Sequence, residues 1–191
     1  MTYIHPELAR VLVSEDDIQA RIRELAQQIA ADYAGAQRIY LVGILKGAFI
    51  FLADLARALI QIEGAPPHVV DFMAVSSYGR STSSGEVRLV MDLREPIVNE
   101  HVLVVEDIVD SGRTLSYLLH ALKGRAPASV RSCALVRKDR PGAAIPVDYL
   151  GFTIPDVWVV GYGLDYADTH RTLPFIAELR REVYQKEGAR G

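Results

Sequence analysis

Val102-Leu103-Val104-Val105-Glu106-Asp107-Ile108-Val109-Asp110-Ser111-Gly112-Arg113-Thr114 is the stretch whose reading decides the architecture. Four consecutive apolar residues, 102–105, are too few for a helix and suit a parallel strand buried on both faces. The strand runs directly into two adjacent acids and then a glycine-containing turn. Beyond it, residues 114–122 carry a helical pattern. In open parallel sheets, ligands bind beyond the carboxyl ends of the strands. Glu106 and Asp107 therefore stand where a site would be. The turn formed by Asp110, Ser111, Gly112, Arg113 and Thr114 offers backbone N–H groups and two hydroxyls at a helix N-terminus, where the partial positive charge favours a phosphate. Paired carboxylates suit the hydroxyls of a ribose or a magnesium ion held by oxygen ligands. Phosphate and diol together describe a ribose 5-phosphate. The competing reading makes Glu106, Asp107 and Asp110 solvated loop acids that cap the next helix; the apolar strand leading into them favours a site. No Gly-x-x-x-x-Gly-Lys-Ser/Thr occurs, so the turn is not the phosphate cradle of an ordinary ATPase.

Working outward, Ser14 and Asp17 form a capping-box-like pair ahead of Ile18, Ile22, Leu25 and Ile29 at helical spacing. Residues 38–45 read as a strand that ends at Lys46-Gly47, with a helix over about 48–60. Pro66 and Pro67 precede a strand at 69–75. The segment Ser76 to Gly85 is almost wholly small and polar, with no apolar anchor of its own, and reads as a mobile loop. Strands are expected at 87–91, 130–136, 149–152 and 157–160, and a last helix at about 174–184. Alternating strands and helices imply an α/β fold with a mostly parallel central sheet flanked by helices. There is no internal repeat and no linker, so residues 1–191 are expected to be one domain.

Half of the residues are hydrophobic, a quarter are charged, and the formal charge is −3. That balance argues against a broad nucleic-acid footprint, which needs a net basic face. Cys133 is the only cysteine and lies in an apolar run, so it is read as a core residue of a protein from a reducing, cytoplasmic compartment. The five histidines, His5, His68, His101, His120 and His170, lack metal-ligand spacing and none is read as a zinc ligand. Residues 1–10 lack a signal-peptide pattern, and the apolar runs are too short to span a bilayer.

The sequence resembles the hypoxanthine-guanine phosphoribosyltransferase family. Residues 102–114 match its ribose-phosphate motif, with Arg113 where lysine is also common. The likeness extends to Leu45-Lys46-Gly47, to Ser77-Tyr78, and to the block from Val147 through Asp165-Tyr166 to Arg171, so it covers nearly all of residues 39–176. The last block is the most specific, because other phosphoribosyltransferases share the ribose-phosphate loop but not this base-binding end.

The resemblance implies a type I phosphoribosyltransferase fold with a small hood over the base. It implies transfer of ribose 5-phosphate from phosphoribosyl pyrophosphate to N9 of a 6-oxopurine, with Mg2+ as cofactor. Glu106 and Asp107 would hold ribose hydroxyls and metal, Asp165 the second metal position, and Asp110 would accept a proton from the purine N7 side. Asp110, Ser111, Gly112, Arg113 and Thr114 would wrap the 5-phosphate. Lys46, Gly47 and Arg171 would hold pyrophosphate, next to a cis peptide that the family carries at the positions of Leu45 and Lys46. Ser77 and Tyr78 would lie on a loop that closes over the reaction. Trp158 would stack on the base where phenylalanine is more usual, and the backbones of Val159 and Asp165 would read its edge. Lys138 would donate to the 6-oxo group, with Arg137 as the alternative, since Asp139 stands where proline is common and residues 138–151 are one short. A homodimer or homotetramer is implied. The remaining alternatives are a transferase preferring xanthine or a pyrimidine, and a regulator of the same fold that binds RNA or DNA.

Overall fold

A computed structural model describes residues 5–77, 87–140 and 145–188. Its chain order is β1 (Leu8–Val13), α1 (Glu15–Asp32), β2 (Ile39–Leu45), α2 (Phe49–Leu59), β3 (His68–Ser77), β4 (Val87–Met91) and β5 (His101–Val109). There follow α3 (Arg113–Lys123), β6 (Ser129–Lys138), β7 (Tyr149–Ile154), β8 (Val159–Val160), β9 (Ile176–Leu179) and α4 (Arg181–Gly188).

Six strands form the main sheet in the order β4-β3-β2-β5-β6-β7. All neighbours pair parallel except β4, which runs antiparallel to β3 at the edge. The run 102–105 supplies the interior strand its composition requires, with every one of those side chains fully buried. Its alternation sorts the two faces. Leu103 and Val105 join the core under α1 and α2 with Leu25, Phe51 and Leu55, whereas Val102 and Val104 join the core under α3 with Leu115, Leu118 and Leu122. Helix α1 is started by Ser14, whose hydroxyl accepts from the Asp17 N–H at 3.1 Å, and it buries Ile18, Ile22, Leu25 and Ile29 as the spacing predicts. Each such side chain contributes roughly 1.5–3 kcal/mol by leaving water. Cys133 is a fully buried core residue, and burial pushes its thiol pKa up.

The strand order sets the place of a cleft. From β2 the chain steps outward to β3 and then returns across β2 to β5, from which it steps the other way to β6 and β7. The sheet thus has a topological switch point between β2 and β5, and the crevice opens beyond their carboxyl ends.

A second, three-stranded antiparallel sheet of order β1-β9-β8 covers that end. Its own small core contains Leu8, Val160, Phe175, Ala177 and Leu179. Here the sequence reading needs correction. The helix expected over 174–184 is instead strand β9 followed by a helix that starts only at Arg181. Phe175, Ala177 and Leu179 face one core while Ile176 faces another, a period of two that pairing with β1 fixes. Strand β1 itself was not expected. Its partner lies more than 160 residues away in sequence, as in the pair of Leu8 with Leu179, so local pattern could not reveal it.

Candidate active site

The cleft at the switch point holds a cavity of about 310 Å3. It is lined by Ile44, Leu45 and Gly47 at the end of β2, Val75 of β3, and Glu106 through Gly112 with Thr114 and Leu115 at the end of β5 and the start of α3. Gly112 caps α3 with φ 76°, a left-handed conformation that glycine adopts without steric cost. The turn thereby aims the first N–H groups of α3 at the cavity, as anion binding requires. Ser111, Gly112 and Thr114 line it; Arg113, the first residue of α3, is exposed and does not.

Glu106 is buried, and among the described residues its Oε1 has no hydrogen-bond partner. Burial, and after it the charge of Asp107, pushes its carboxyl pKa well above the usual range. Asp107 is pushed up to about 6, chiefly by burial and further by Asp165; the N–H groups of Ile108 and Asp107 and the Arg171 guanidinium oppose the shift. Two acids raised by a common dry setting, one with an unsatisfied oxygen, suit a ligand that brings positive charge or hydroxyl donors.

Two further backbone segments close on this spot. The Leu45–Lys46 peptide is cis, and Gly47 follows it. A Cβ at Gly47 would stand 1.7 Å from Asp107 Oδ2. Gly163, at φ 102°, is equally tight: a Cβ there would stand 1.9 Å from the Gly47 carbonyl oxygen. Next to it, Arg171 donates to the Gly163 carbonyl at 2.8 Å and pairs with Asp165 at 2.7 Å and Asp168 at 3.0 Å. Lys46 pairs with Asp168 at 3.0 Å on the solvent side. The segment from 161 to 170 carries left-handed residues at Gly161, Tyr162, Gly163, Ala167, Asp168 and His170. Such conformations cost roughly 1 kcal/mol or more at non-glycine positions and collect at functional sites.

A second cavity, of about 420 Å3, adjoins the first through Asp110 and is lined by Lys138, Arg140, Asp156, Val157, Trp158, Arg181, Tyr184 and Gln185 as well. Trp158 is 51% exposed, with its ring stacked on Tyr184 at 5.5 Å. Lys138 is mostly buried and lies 3.5 Å from both Asp110 Oδ2 and Asp156 Oδ1. Arg137, its neighbour on β6, is not among the lining residues. Arg140 completes a four-charge cluster, at 2.9 Å from Asp110 and 2.8 Å from Asp156. Its hydrogen bond is the main cause that holds the Asp156 carboxyl below the usual range.

Of the residues singled out from sequence, Gly47, Glu106, Asp107, Asp110, Ser111, Gly112 and Thr114 meet at the first cavity, and Asp110, Lys138 and Trp158 at the second. Lys46, Asp165 and Arg171 stand beside the first, joined through Asp168 or, for Asp107, by electrostatic coupling. Val159 is buried and pairs with Glu178 in the hood sheet rather than lining either cavity. Ser77 closes β3, while Tyr78 and most of the loop expected over 76–85 lie outside the described residues. Arg140, Asp156, Asp168 and Tyr184 went unassigned in the sequence. Arg140 sits two residues beyond Lys138 and Asp156 two before Trp158, but only the fold brings them together.

A phosphoribosyl transferase domain model matches residues 14–167. The hypoxanthine-guanine phosphoribosyltransferase of Mycobacterium avium is 48% identical over 187 residues, which cover 94% of this chain and 90% of that protein. The Dictyostelium discoideum protein of the same name is 45% identical over 178 residues, 92% of this chain and 98% of its own length. Among solved structures, the hypoxanthine phosphoribosyltransferase of Trypanosoma cruzi in complex with the product IMP superposes with a TM-score of 0.87 at 44% identity, covering 96% of this chain and all of that one. With the type I fold, the switch-point cleft and these relatives in agreement, the chain belongs to the phosphoribosyltransferase family, among its hypoxanthine-guanine members.

Proposed function

We propose that this protein is a hypoxanthine-guanine phosphoribosyltransferase of purine salvage, transferring ribose 5-phosphate from phosphoribosyl pyrophosphate to N9 of hypoxanthine or guanine. The observation that carries this reading is the position of Asp110. It is shared by a cavity built for phosphate and diol and by a cavity with an aromatic ring and a lysine.

The N-terminal turn of α3, with Ser111, Gly112, Arg113 and Thr114, binds the 5-phosphate. Glu106 and Asp107 hold the ribose hydroxyls, and Lys46, Gly47 and Arg171 hold the pyrophosphate. Trp158 stacks on the purine, the backbones of Val159 and Asp165 read its edge, and Lys138 donates to its 6-oxo group. Asp110 takes the proton from N7 as N9 forms its bond to C1 of the ribose and the bond from C1 to the pyrophosphate oxygen breaks. Glu106, Asp107 and Asp165 fit Mg2+, for which the unpartnered Glu106 Oε1 is a ready oxygen ligand. When bound, Mg2+ would neutralise charge on the leaving pyrophosphate.

No helix among the described residues is long and apolar enough to cross a membrane. A cytoplasmic homodimer or homotetramer is part of the same proposal; light scattering of the purified chain tests the assembly. The activity is tested by supplying Mg2+, phosphoribosyl pyrophosphate and, in turn, hypoxanthine, guanine and xanthine. IMP and GMP are the expected products. Failure to form either nucleotide overturns the reading.

A further inference from the structure

Outside both active-site cavities, two histidines separated by most of the chain meet around one carboxylate. His170 Nε2 lies 2.8 Å from Glu7 Oε2, and His5 Nδ1 lies 3.7 Å from the same oxygen. The imidazole rings meet edge to face at 4.9 Å. The three candidate ligand atoms all lie within 4.8 Å of one another. We propose that His5 Nδ1, Glu7 Oε2 and His170 Nε2 form a binding site for a zinc-class divalent cation, which fastens the N-terminal strand to the loop of the pyrophosphate side.

The chemistry of the donors selects this class of ion. Two imidazoles and one carboxylate are the ligand set of open, four-coordinate zinc sites, whereas magnesium prefers oxygen alone. The spacing is close to what such an ion needs. Bonds of about 2.0–2.1 Å at tetrahedral angles put neighbouring ligand atoms about 3.3 Å apart. The separations of 2.8 and 3.7 Å from Glu7 Oε2 lie on either side of that value, and the two imidazole nitrogens, within 4.8 Å of each other, would draw together around the ion. His5 Nδ1 accepts from the Glu7 N–H at 3.4 Å, so it is the unprotonated ring nitrogen, and an ion would replace this long hydrogen bond. The Glu7 carboxylate accepts at 2.8 Å from the N–H at His170 Nε2, so an ion on Nε2 would displace that proton to Nδ1 or to solvent.

The ligands are also held before any ion arrives. The His5 carbonyl accepts from Leu8 N–H at 2.9 Å and the Glu7 carbonyl from Arg180 N–H at 2.8 Å. Arg180 Nε donates to the Pro6 carbonyl at 2.9 Å. His170, 10% exposed at its side chain, keeps φ 68°, a left-handed conformation uncommon outside glycine. A cavity of about 510 Å3 opens beside the three side chains and leaves room for water at a fourth position. These residues stand apart from the two cavities of the transferase site, so the inference does not rest on the activity proposed above.

The test is zinc binding by the full-length, tag-free chain, stripped of metal and held in saturating magnesium, measured by competition with a chromophoric chelator and by thermal melting. The wild type is expected to take up one zinc ion per chain and to melt at a higher temperature with zinc. His5→Ala and Glu7→Gln, both at partly exposed positions, are each expected to weaken binding at least ~10-fold and to abolish the rise in melting temperature. His170→Asn, which tolerates the left-handed backbone, should do the same. Cobalt in place of zinc should give the intense visible absorption of a tetrahedral site in the wild type alone. Absence of zinc uptake, or equal affinity in the wild type and all three variants, overturns the proposal and leaves the triplet as a hydrogen-bonded latch.

Discussion

The two halves of the active site are held in opposite ways. The half at the end of β5 is drawn mainly from one run of thirteen residues, Val102 to Thr114, closed by Ile44, Leu45, Gly47 and Val75, with dry acids whose charge the fold resists. The half under the hood is gathered from β6, the loop before β8 and α4, and its charges pair with one another in a cluster of a mostly buried Lys138 with the more exposed Arg140, Asp110 and Asp156. The first half stores unfavourable desolvation that a ligand can relieve. The second is already neutralised by its own ion pairs, so a base must replace contacts that exist without it. Binding to the first half should therefore respond to pH and metal, and binding to the second to shape and hydrogen-bond pattern.

Asp110 belongs to both halves, and its loss should have the largest effect. Asp110→Asn keeps the shape and removes the proton acceptor, so turnover should fall roughly 100-fold or more. Donor affinity should change little. Steady-state kinetics with hypoxanthine checks this, and a near-normal turnover would make the residue a structural partner of Arg140 only.

Asp107 tests the claim that the first half is strained by burial. Its folded pKa, about 6, lies above its ordinary 3.8. Its contribution to stability is therefore fully present below about pH 4 and is lost as pH rises through about 6. The shift corresponds to at most about 3 kcal/mol, and less because the carboxylate faces the cavity. Asp107→Asn in the ligand-free protein should accordingly raise stability at pH 8 and leave it nearly unchanged at pH 4, read by denaturant unfolding. Donor binding runs the other way: it should strengthen in the wild type as pH rises through about 6 and lose most of that dependence in the variant. A variant less stable than wild type at pH 8 would show the acid to be structural.

How much of this was legible in the sequence follows the same division. The switch-point strand, its acids and the phosphate turn lie within thirteen consecutive residues, so residue type, period and order were enough. The hood was not legible in the same way. Strand β1 and strand β9 define each other across the whole chain, and Phe175-Ile176-Ala177 carries a pattern that serves a helix as well as a strand. Arg140 resembles any exposed loop arginine until the fold sets Asp110 and Asp156 beside it. His5 and His170, too distant in sequence for any spacing rule, meet only because β1 docks beside the loop that ends at Arg171.

Within the second half, Lys138 should matter more than its neighbours. Its ammonium donates to a 6-oxo group and meets the donors of a 6-amino purine with like polarity. Lys138→Ala should raise the KM for hypoxanthine and erode discrimination against adenine, by roughly 1.5–3 kcal/mol. Arg137→Ala should do little, since its side chain lines neither cavity. The reverse pattern would shift the base-reading position by one residue.

Trp158 should give the smallest effect and is the most direct test of whether the second half works by shape. The ring is half exposed, at 51%, and is braced by Tyr184 at 5.5 Å with an interplanar angle of 29°. A phenyl ring can keep that stack, so Trp158→Phe should change the KM for hypoxanthine by less than about threefold, because most of an aromatic pair's worth lies in the ring face. Trp158→Leu keeps bulk and removes the face, so it should cost about 0.5–1.5 kcal/mol in base binding. Global stability should move little in either variant, because a half-exposed side chain leaves no cavity in the core. Measuring KM for base and unfolding midpoint side by side separates the outcomes. Equal KM values for Phe and Leu would mean that the indole contributes bulk and no stacking. A large loss of stability in the leucine variant would instead make Trp158 a support for α4, with the base held by Lys138 and Asp110 alone.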